Sequence, residues 1–332
     1  MSRIDDDIKK GTFSHCYLLY GPEAYLRDND CVKIRRVLTS EEDTMNWSRY
    51  EGKDLPIREV ISQAETMPFF AERRLIEIRG SGLFKGAKET SDTKALLELL
   101  KNPPETTFFV FCEEQVDARG KLFKTVRESG AVIEYKPLTA DRLEMWVAGW
   151  LKKRERMITG SAVSELISRT GTDMYLLTTE MKKLISYTEG REGITKADVE
   201  ALCTSRPEDQ IFKMISAISA KDRKRAMDLY GQLLAMNADP IRILALIARE
   251  YTLLWQVKDQ LEQGFGRDAI AEKVKIRPYF MKQYLSAASL YSGEDLVRIL
   301  NKCGDTDEAI KTGQMKPQMA VEMLIMEASA SE

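Results

Sequence analysis

The residues best placed to do chemistry follow an apolar run, Tyr17-Leu18-Leu19-Tyr20, and read Gly21-Pro22-Glu23-Ala24-Tyr25-Leu26-Arg27-Asp28. A strand that runs into a glycine turn is where a nucleotide-binding α/β domain carries its phosphate loop. That loop reads G-x-x-x-x-G-K-[ST]: its backbone N–H groups wrap the phosphates and its lysine neutralises them. Here the second glycine, the lysine and the Ser/Thr are all absent. Pro22 removes an N–H donor, and Glu23 sets a negative charge where phosphate would lie. Gly21, Pro22 and Glu23 are therefore expected to form a degenerate nucleotide site, so that the function lies in binding something larger.

Other catalytic designs fare no better. The single histidine, His15, precedes the first strand core and reads as a strand-edge residue, which leaves no imidazole for a triad, a Cys-His dyad or a His-rich metal site. Five cysteines (Cys16, Cys31, Cys112, Cys203, Cys303) are widely spaced, and no pair has the C-x-x-C spacing of a zinc knuckle. The apolar stretch Phe108-Phe109-Val110-Phe111 leads into Cys112-Glu113-Glu114. Carboxylates there could hold Mg²⁺ and orient water, but without a phosphate loop they have nothing to act on. They read as a solvated strand end. No catalytic residue, no metal site and no cofactor is expected.

The sequence Met67-Pro68-Phe69-Phe70 points to binding. It lies on the connection between a helix over Pro56–Met67 and a strand over Arg74–Ile78. Adjacent side chains alternate along an extended segment, so Phe69 and Phe70 cannot both point inward. An exposed pair of large apolar groups marks a partner site, with Met67 as an adaptable support. The competing reading packs both rings under the sheet edge, and the residues alone leave the two open.

These segments sit in a chain of 332 residues, long enough for two or three domains, with 43% hydrophobic and 31% charged residues. The net charge of −2, from 50 basic and 52 acidic residues, argues against a protein that lives by non-specific attraction to DNA. The basic clusters Lys152-Lys153-Arg154-Glu155-Arg156 and Lys221-Asp222-Arg223-Lys224-Arg225 read as solvated helix faces. No apolar run approaches the roughly 20 residues of a membrane span, and the acidic start Met1-Ser2-Arg3-Ile4-Asp5-Asp6-Asp7 is not a signal peptide. Together with the cysteine pattern this predicts a reducing, cytoplasmic setting.

Strand signals fall at Cys16–Tyr20, Met45–Tyr50, Arg74–Ile78, Thr107–Cys112 and Val132–Tyr135. Helical stretches between them cover Ala24–Leu38, Pro56–Glu65, Lys94–Leu100 and Ala118–Glu128. Such alternation predicts a parallel sheet. After Pro137 only helix signals follow, from Asp141 to Glu332, with a turn at Glu189–Gly193, an N-cap at Thr195 with its box partner Asp198, and a break near Arg206-Pro207-Glu208. Trp146, Trp150, Phe212, Trp255 and Tyr279 read as core. Arg242 and Arg249 share one helix face.

This order, an α/β core, a small helical domain and a larger helical domain, resembles that of AAA+ proteins. Five blocks also resemble the delta-subunit family of bacterial DNA polymerase III clamp loaders. They are Tyr17–Leu26, Met67–Leu75, Glu208–Met214, Asp239–Arg249 and Asp307–Gly313, and they span essentially the whole chain in order. The resemblance implies an AAA+-like parallel-sheet domain over 1–140, a helical lid over 141–207 and a helical collar for oligomerisation over 208–332. It further implies a subunit without ATPase activity of its own that binds the ring-shaped sliding clamp (the beta subunit) and holds it open for loading onto primed DNA. Met67, Phe69 and Phe70 would form the clamp-binding segment. The implied companions are the ATPase subunits (tau/gamma) and delta-prime, in an assembly classed as a DNA-directed DNA polymerase. Two further ATPase parts depart from the active pattern: Tyr175 stands where Gly-Asp-Met-Arg would place its arginine, and no Ser-Arg-Cys motif precedes Lys121-Leu122-Phe123-Lys124. The alternatives are an active AAA+ ATPase with an unusual phosphate site and a DNA-binding protein that works without the clamp.

Overall fold

The structure, a computed structural model, describes residues 3–39, 43–86, 90–204 and 207–330. It divides into two units, Met1–Pro137 and Leu138–Glu332.

The first unit alternates helix and strand in the order α1 (Arg3–Lys10), β1 (Cys16–Tyr20), α2 (Ala24–Leu38), β2 (Trp47–Glu51), α3 (Ile57–Glu65), β3 (Arg74–Arg79), α4 (Ser91–Lys101), β4 (Thr107–Glu113), α5 (Lys121–Ser129) and β5 (Ala131–Glu134). The strands form one parallel sheet ordered β2-β3-β4-β1-β5. All seven residues of β4 are buried, because this central strand is covered on both faces. Side chains alternate between those faces. Phe109 and Phe111 join Cys16 and Leu18 under α3, α4 and α5, whereas Phe108 and Val110 join Tyr17 and Leu19 under α1 and α2. His15 stacks on Phe108 with ring centroids 4.7 Å apart, and its Nδ1 lies 3.1 Å from the Thr107 carbonyl, a packing role at the start of the sheet. Helix α1 carries no strong sequence signal; it is held by Ile4 beneath it and by Lys33 Nζ donating to Asp5 at 2.8 Å.

The second unit comprises α6 (Ala140–Lys152), β6 (Met157–Ile158), α7 (Gly160–Thr170), α8 (Met174–Tyr187), β7 (Gly193–Ile194), α9 (Lys196–Leu202), α10 (Pro207–Ser219), α11 (Arg223–Ala235), α12 (Pro240–Glu262), α13 (Arg267–Val274), α14 (Met281–Ala288), α15 (Gly293–Lys311) and α16 (Pro317–Ala328). The expectation of helices alone after Asp141 is corrected by the short parallel pair β6 and β7, two residues each and too short to leave a periodic signal. Thr195 and Asp198 form the expected capping box. Of the anticipated break at Arg206-Pro207-Glu208, residues 205 and 206 lie outside the described residues, and α10 begins at Pro207.

Along α12 the buried residues Ile243, Leu244, Ile247, Tyr251, Leu254 and Val257 recur at helical spacing. Trp150 and Phe212 are buried as expected, and Trp146 and Tyr279 are half-buried. Trp255 is exposed instead. It follows the buried Leu254 by one residue, about 100° around the helix, which turns it off the core face. Arg242 and Arg249 are both exposed. The first basic cluster is not simply solvated: Arg154 lies 3.4 Å over the Trp150 ring, and Arg156 Nη2 donates to Thr188 Oγ1 at 2.7 Å.

Candidate functional site

The sequence singles out two places at the rim of the first unit's sheet. At the C-terminal end of β1, Gly21 has φ of 121°, and a Cβ added there would lie 2.4 Å from the Tyr135 carbonyl oxygen, so glycine is required by a close approach to the chain itself. The backbone donors of this turn are used internally. Gly21 N donates to the Glu113 carbonyl at 3.1 Å, Glu23 N to the Tyr135 carbonyl at 3.1 Å and Ala24 N to the Pro22 carbonyl at 3.0 Å. Pro22 has no N–H to offer. The Arg27 guanidinium turns inward, Nη1 donating to the carbonyls of Gly21 at 2.7 Å and Glu113 at 3.2 Å. Glu23 is buried at the N-terminus of α2.

The strand end at β4 differs from its expected form. Glu113 is buried rather than solvated: its Oε1 accepts from Ser81 N at 2.9 Å and Ser81 Oγ at 2.5 Å. A buried carboxylate needs such donors, and here the loop after β3 supplies them. Glu114 is exposed. Among the described residues no cluster of His, Cys, Asp and Glu is arranged to hold a metal ion.

The second place is the connection from α3 to β3. Met67 is 76% exposed, Phe69 55% and Phe70 95%, so neither ring packs under the sheet edge. The rings meet edge to face, with centroids 4.6 Å apart and planes at 83°. Phe70 has φ of 48°, a left-handed conformation uncommon for a bulky residue, which must be held by its surroundings. The holding group is Asn46, buried just before β2. Its Oδ1 accepts from Phe69 N at 2.6 Å, and its Nδ2 donates to the Phe69 carbonyl at 2.9 Å. Asn46 is braced in turn by Asp43, whose Oδ1 accepts from the Met45 and Asn46 N–H groups and whose Oδ2 accepts from Asn46 Nδ2. Those bonds, the Asn46 amide first, lower the Asp43 carboxyl below its ordinary value. On the other side, buried Arg74 donates from Nη2 to the Met67 carbonyl at 3.2 Å.

Sequence reasoning misses Asp43, Met45 and Asn46 as parts of this place, and it includes Arg74 in the block Met67–Leu75 without a role. Met45 is 61% exposed and adjoins the amide that grips Phe69. Nothing in spacing or composition marks Asn46, because its hold on Phe69 depends on β2 and β3 lying side by side, with Trp47 opposite Leu75.

No helix among the described residues is long and apolar enough to cross a membrane. Residues 17–136 match the family described as DNA polymerase III, delta subunit, and residues 208–328 match the family that describes the C-terminal domain of the DNA polymerase III delta chain. The chain is 30% identical over 327 residues to DNA polymerase III subunit delta of Bacillus subtilis (strain 168), covering 96% of this chain and 94% of that protein. It is 21% identical over 293 residues to a probable DNA polymerase III subunit delta of Aquifex aeolicus (strain VF5), covering 86% and 82%. Among solved structures, the Bacillus subtilis DNA clamp loader delta protein (YqeN) superposes with a TM-score of 0.78 at 29% identity, covering 98% of each chain. With this fold and this extent of likeness, the chain belongs to the family of DNA polymerase III clamp-loader delta subunits.

Proposed function

We propose that the chain is the loader subunit that grips the sliding clamp through Met67, Phe69 and Phe70 and holds the ring open for placement on primed DNA, without hydrolysing nucleotide itself. One observation carries this reading: an aromatic pair stands in solvent on a loop braced by Asn46 and Arg74. Exposed rings on a preformed support are the usual make-up of a partner's anchor. The internal use of every N–H from Gly21 to Ala24 supports a purely binding role over an ATPase. We further propose that 141–207 and 208–332 act as lid and collar, the latter meeting the tau/gamma and delta-prime subunits. The single hydrophobic cluster running from Ile211 to Ile325 supports a collar with its own core.

The test is co-elution of the purified chain with the sliding clamp on a sizing column, without DNA and without nucleotide. A stable complex that is lost in the Phe69→Ala/Phe70→Ala double variant supports the reading. A double variant that still carries the clamp removes this loop from the site.

A further inference from the structure

In the unit Met1–Pro137 methionine occurs at positions 1, 45 and 67 alone. Met45 and Met67 are both largely exposed, and each is close in sequence to a residue that forms or braces the loop of the aromatic pair. Met67 precedes Phe69 by two residues, and Met45 adjoins Asn46, whose amide bonds both backbone groups of Phe69. The core of this unit is filled instead with Leu, Ile, Val and Phe, and its cysteines, Cys16, Cys31 and Cys112, are buried. Sulfur within reach of a water-borne oxidant is therefore confined, among the described residues of this unit, to the rim of the exposed rings. The remaining exposed large apolar residues there, Val32 and Val37, lie on α2 and carry no sulfur.

We propose that Met45 and Met67 are an oxidation-sensitive rim of the docking surface, at which a hydroperoxide weakens the grip on the clamp; this rests on the docking function proposed above. In the step, a thioether lone pair attacks the outer peroxide oxygen and the O–O bond breaks. The sulfur gains one oxygen as the sulfoxide and is oxidised by two electrons, while hydrogen peroxide is reduced to water. A thioether enters an apolar pocket readily, being soft and polarisable. A sulfoxide oxygen is a hydrogen-bond acceptor that must be stripped of water to enter the same pocket, and this is unfavourable without a donor inside. The chemistry is reversible, since methionine sulfoxide reductases restore the thioether.

The experiment treats the full chain with limiting hydrogen peroxide, locates sulfoxide by peptide mass spectrometry, and measures affinity for the purified clamp. The expected result is sulfoxide at Met45 and Met67 with affinity reduced roughly tenfold to a hundredfold. Both methionine sulfoxide reductases together should restore it. A Met45→Leu/Met67→Leu variant is compared with itself before and after peroxide, whatever its starting affinity, and should show a ratio near unity although methionines of the second unit still oxidise. If the parent binds undiminished with both sulfoxides present while Phe69→Ala/Phe70→Ala loses the clamp, this inference fails and the docking function stands. An equal loss in the Leu variant assigns the sensitivity to other sulfurs and overturns the inference. Should the Phe double variant bind like the parent, the docking function fails and the inference with it.

Discussion

The two rings of the loop should divide their labour, and single substitutions measure the division. Phe70 is 95% exposed, so docking would bury nearly its whole side chain, and full burial of a Phe stabilises by about 1.5–3 kcal/mol. Phe70→Ala should therefore weaken clamp binding roughly ten- to 150-fold. Phe69 is 55% exposed and has about half its surface left to give, on the order of 0.8–1.6 kcal/mol, or roughly four- to fifteenfold. Stability should follow the opposite order. Phe69 already covers part of its ring within the loop, whereas Phe70 contributes little beyond its edge contact at 4.6 Å and sits in a left-handed conformation that disfavours it. Phe70→Gly should then be neutral or stabilising in urea while still losing the clamp, because glycine adopts that conformation freely. Fluorescence anisotropy with labelled clamp at fixed salt gives the affinities, and urea midpoints on the same preparations give the stabilities. Phe70→Ala within twofold of the parent, or Phe69→Ala weakening binding more than Phe70→Ala at unchanged stability, would refute this account.

Asn46→Ala removes two bonds to the Phe69 backbone and should cost about 1–3 kcal/mol in urea unfolding; a cost near zero would show that the amide is not the brace. Gly21→Ala forces a Cβ to 2.4 Å from the Tyr135 carbonyl at φ of 121° and should lower stability by more than about 2 kcal/mol, checked by thermal unfolding. Calorimetry with ATP and Mg²⁺ should register no binding to the isolated chain, and micromolar affinity would contradict the donor accounting at Gly21–Ala24. The Asp43 carboxyl is depressed below its ordinary 3.8 on folding, so its contribution is present above that value and is lost as pH falls through the lower folded value. The protection of the Phe69 amide, taken as its exchange rate relative to the intrinsic rate at each pH, should fall below about pH 4 in the parent, and Asp43→Asn should remove that dependence.

Much of the architecture is legible in the sequence because periodicity reports burial. Phe108–Phe111 announces a strand covered on both faces, and Ala24–Leu38 reads as a helix within its true bounds. The departure of Gly21–Asp28 from a phosphate-loop pattern is legible because phosphate binding demands particular residue types, and their lack is visible in a single line of sequence. What stays hidden depends on neighbours distant in the chain. Asn46 and Phe69 are 23 residues apart, and only the pairing of β2 with β3 brings them together. Glu113 resembles a solvated strand end because the Ser81 donors that allow its burial belong to another loop. Trp255 reads as core because its spacing fits a helix, yet one residue of rotation separates it from Leu254 on the buried side. Two-residue strands such as Met157–Ile158 carry too few positions for any periodicity.

The grip of Asn46 on Phe69 also has a kinetic meaning. A binding loop that must first find its shape spends part of every encounter in unproductive conformations, and its association rate falls by the fraction of time it is competent. Here the loop's conformation is set before any partner arrives, by bonds from a buried amide and a buried guanidinium. For the docking role proposed above, collisions would then be productive without a folding step, and differences in residence time rather than in capture rate should separate strong from weak variants of the loop.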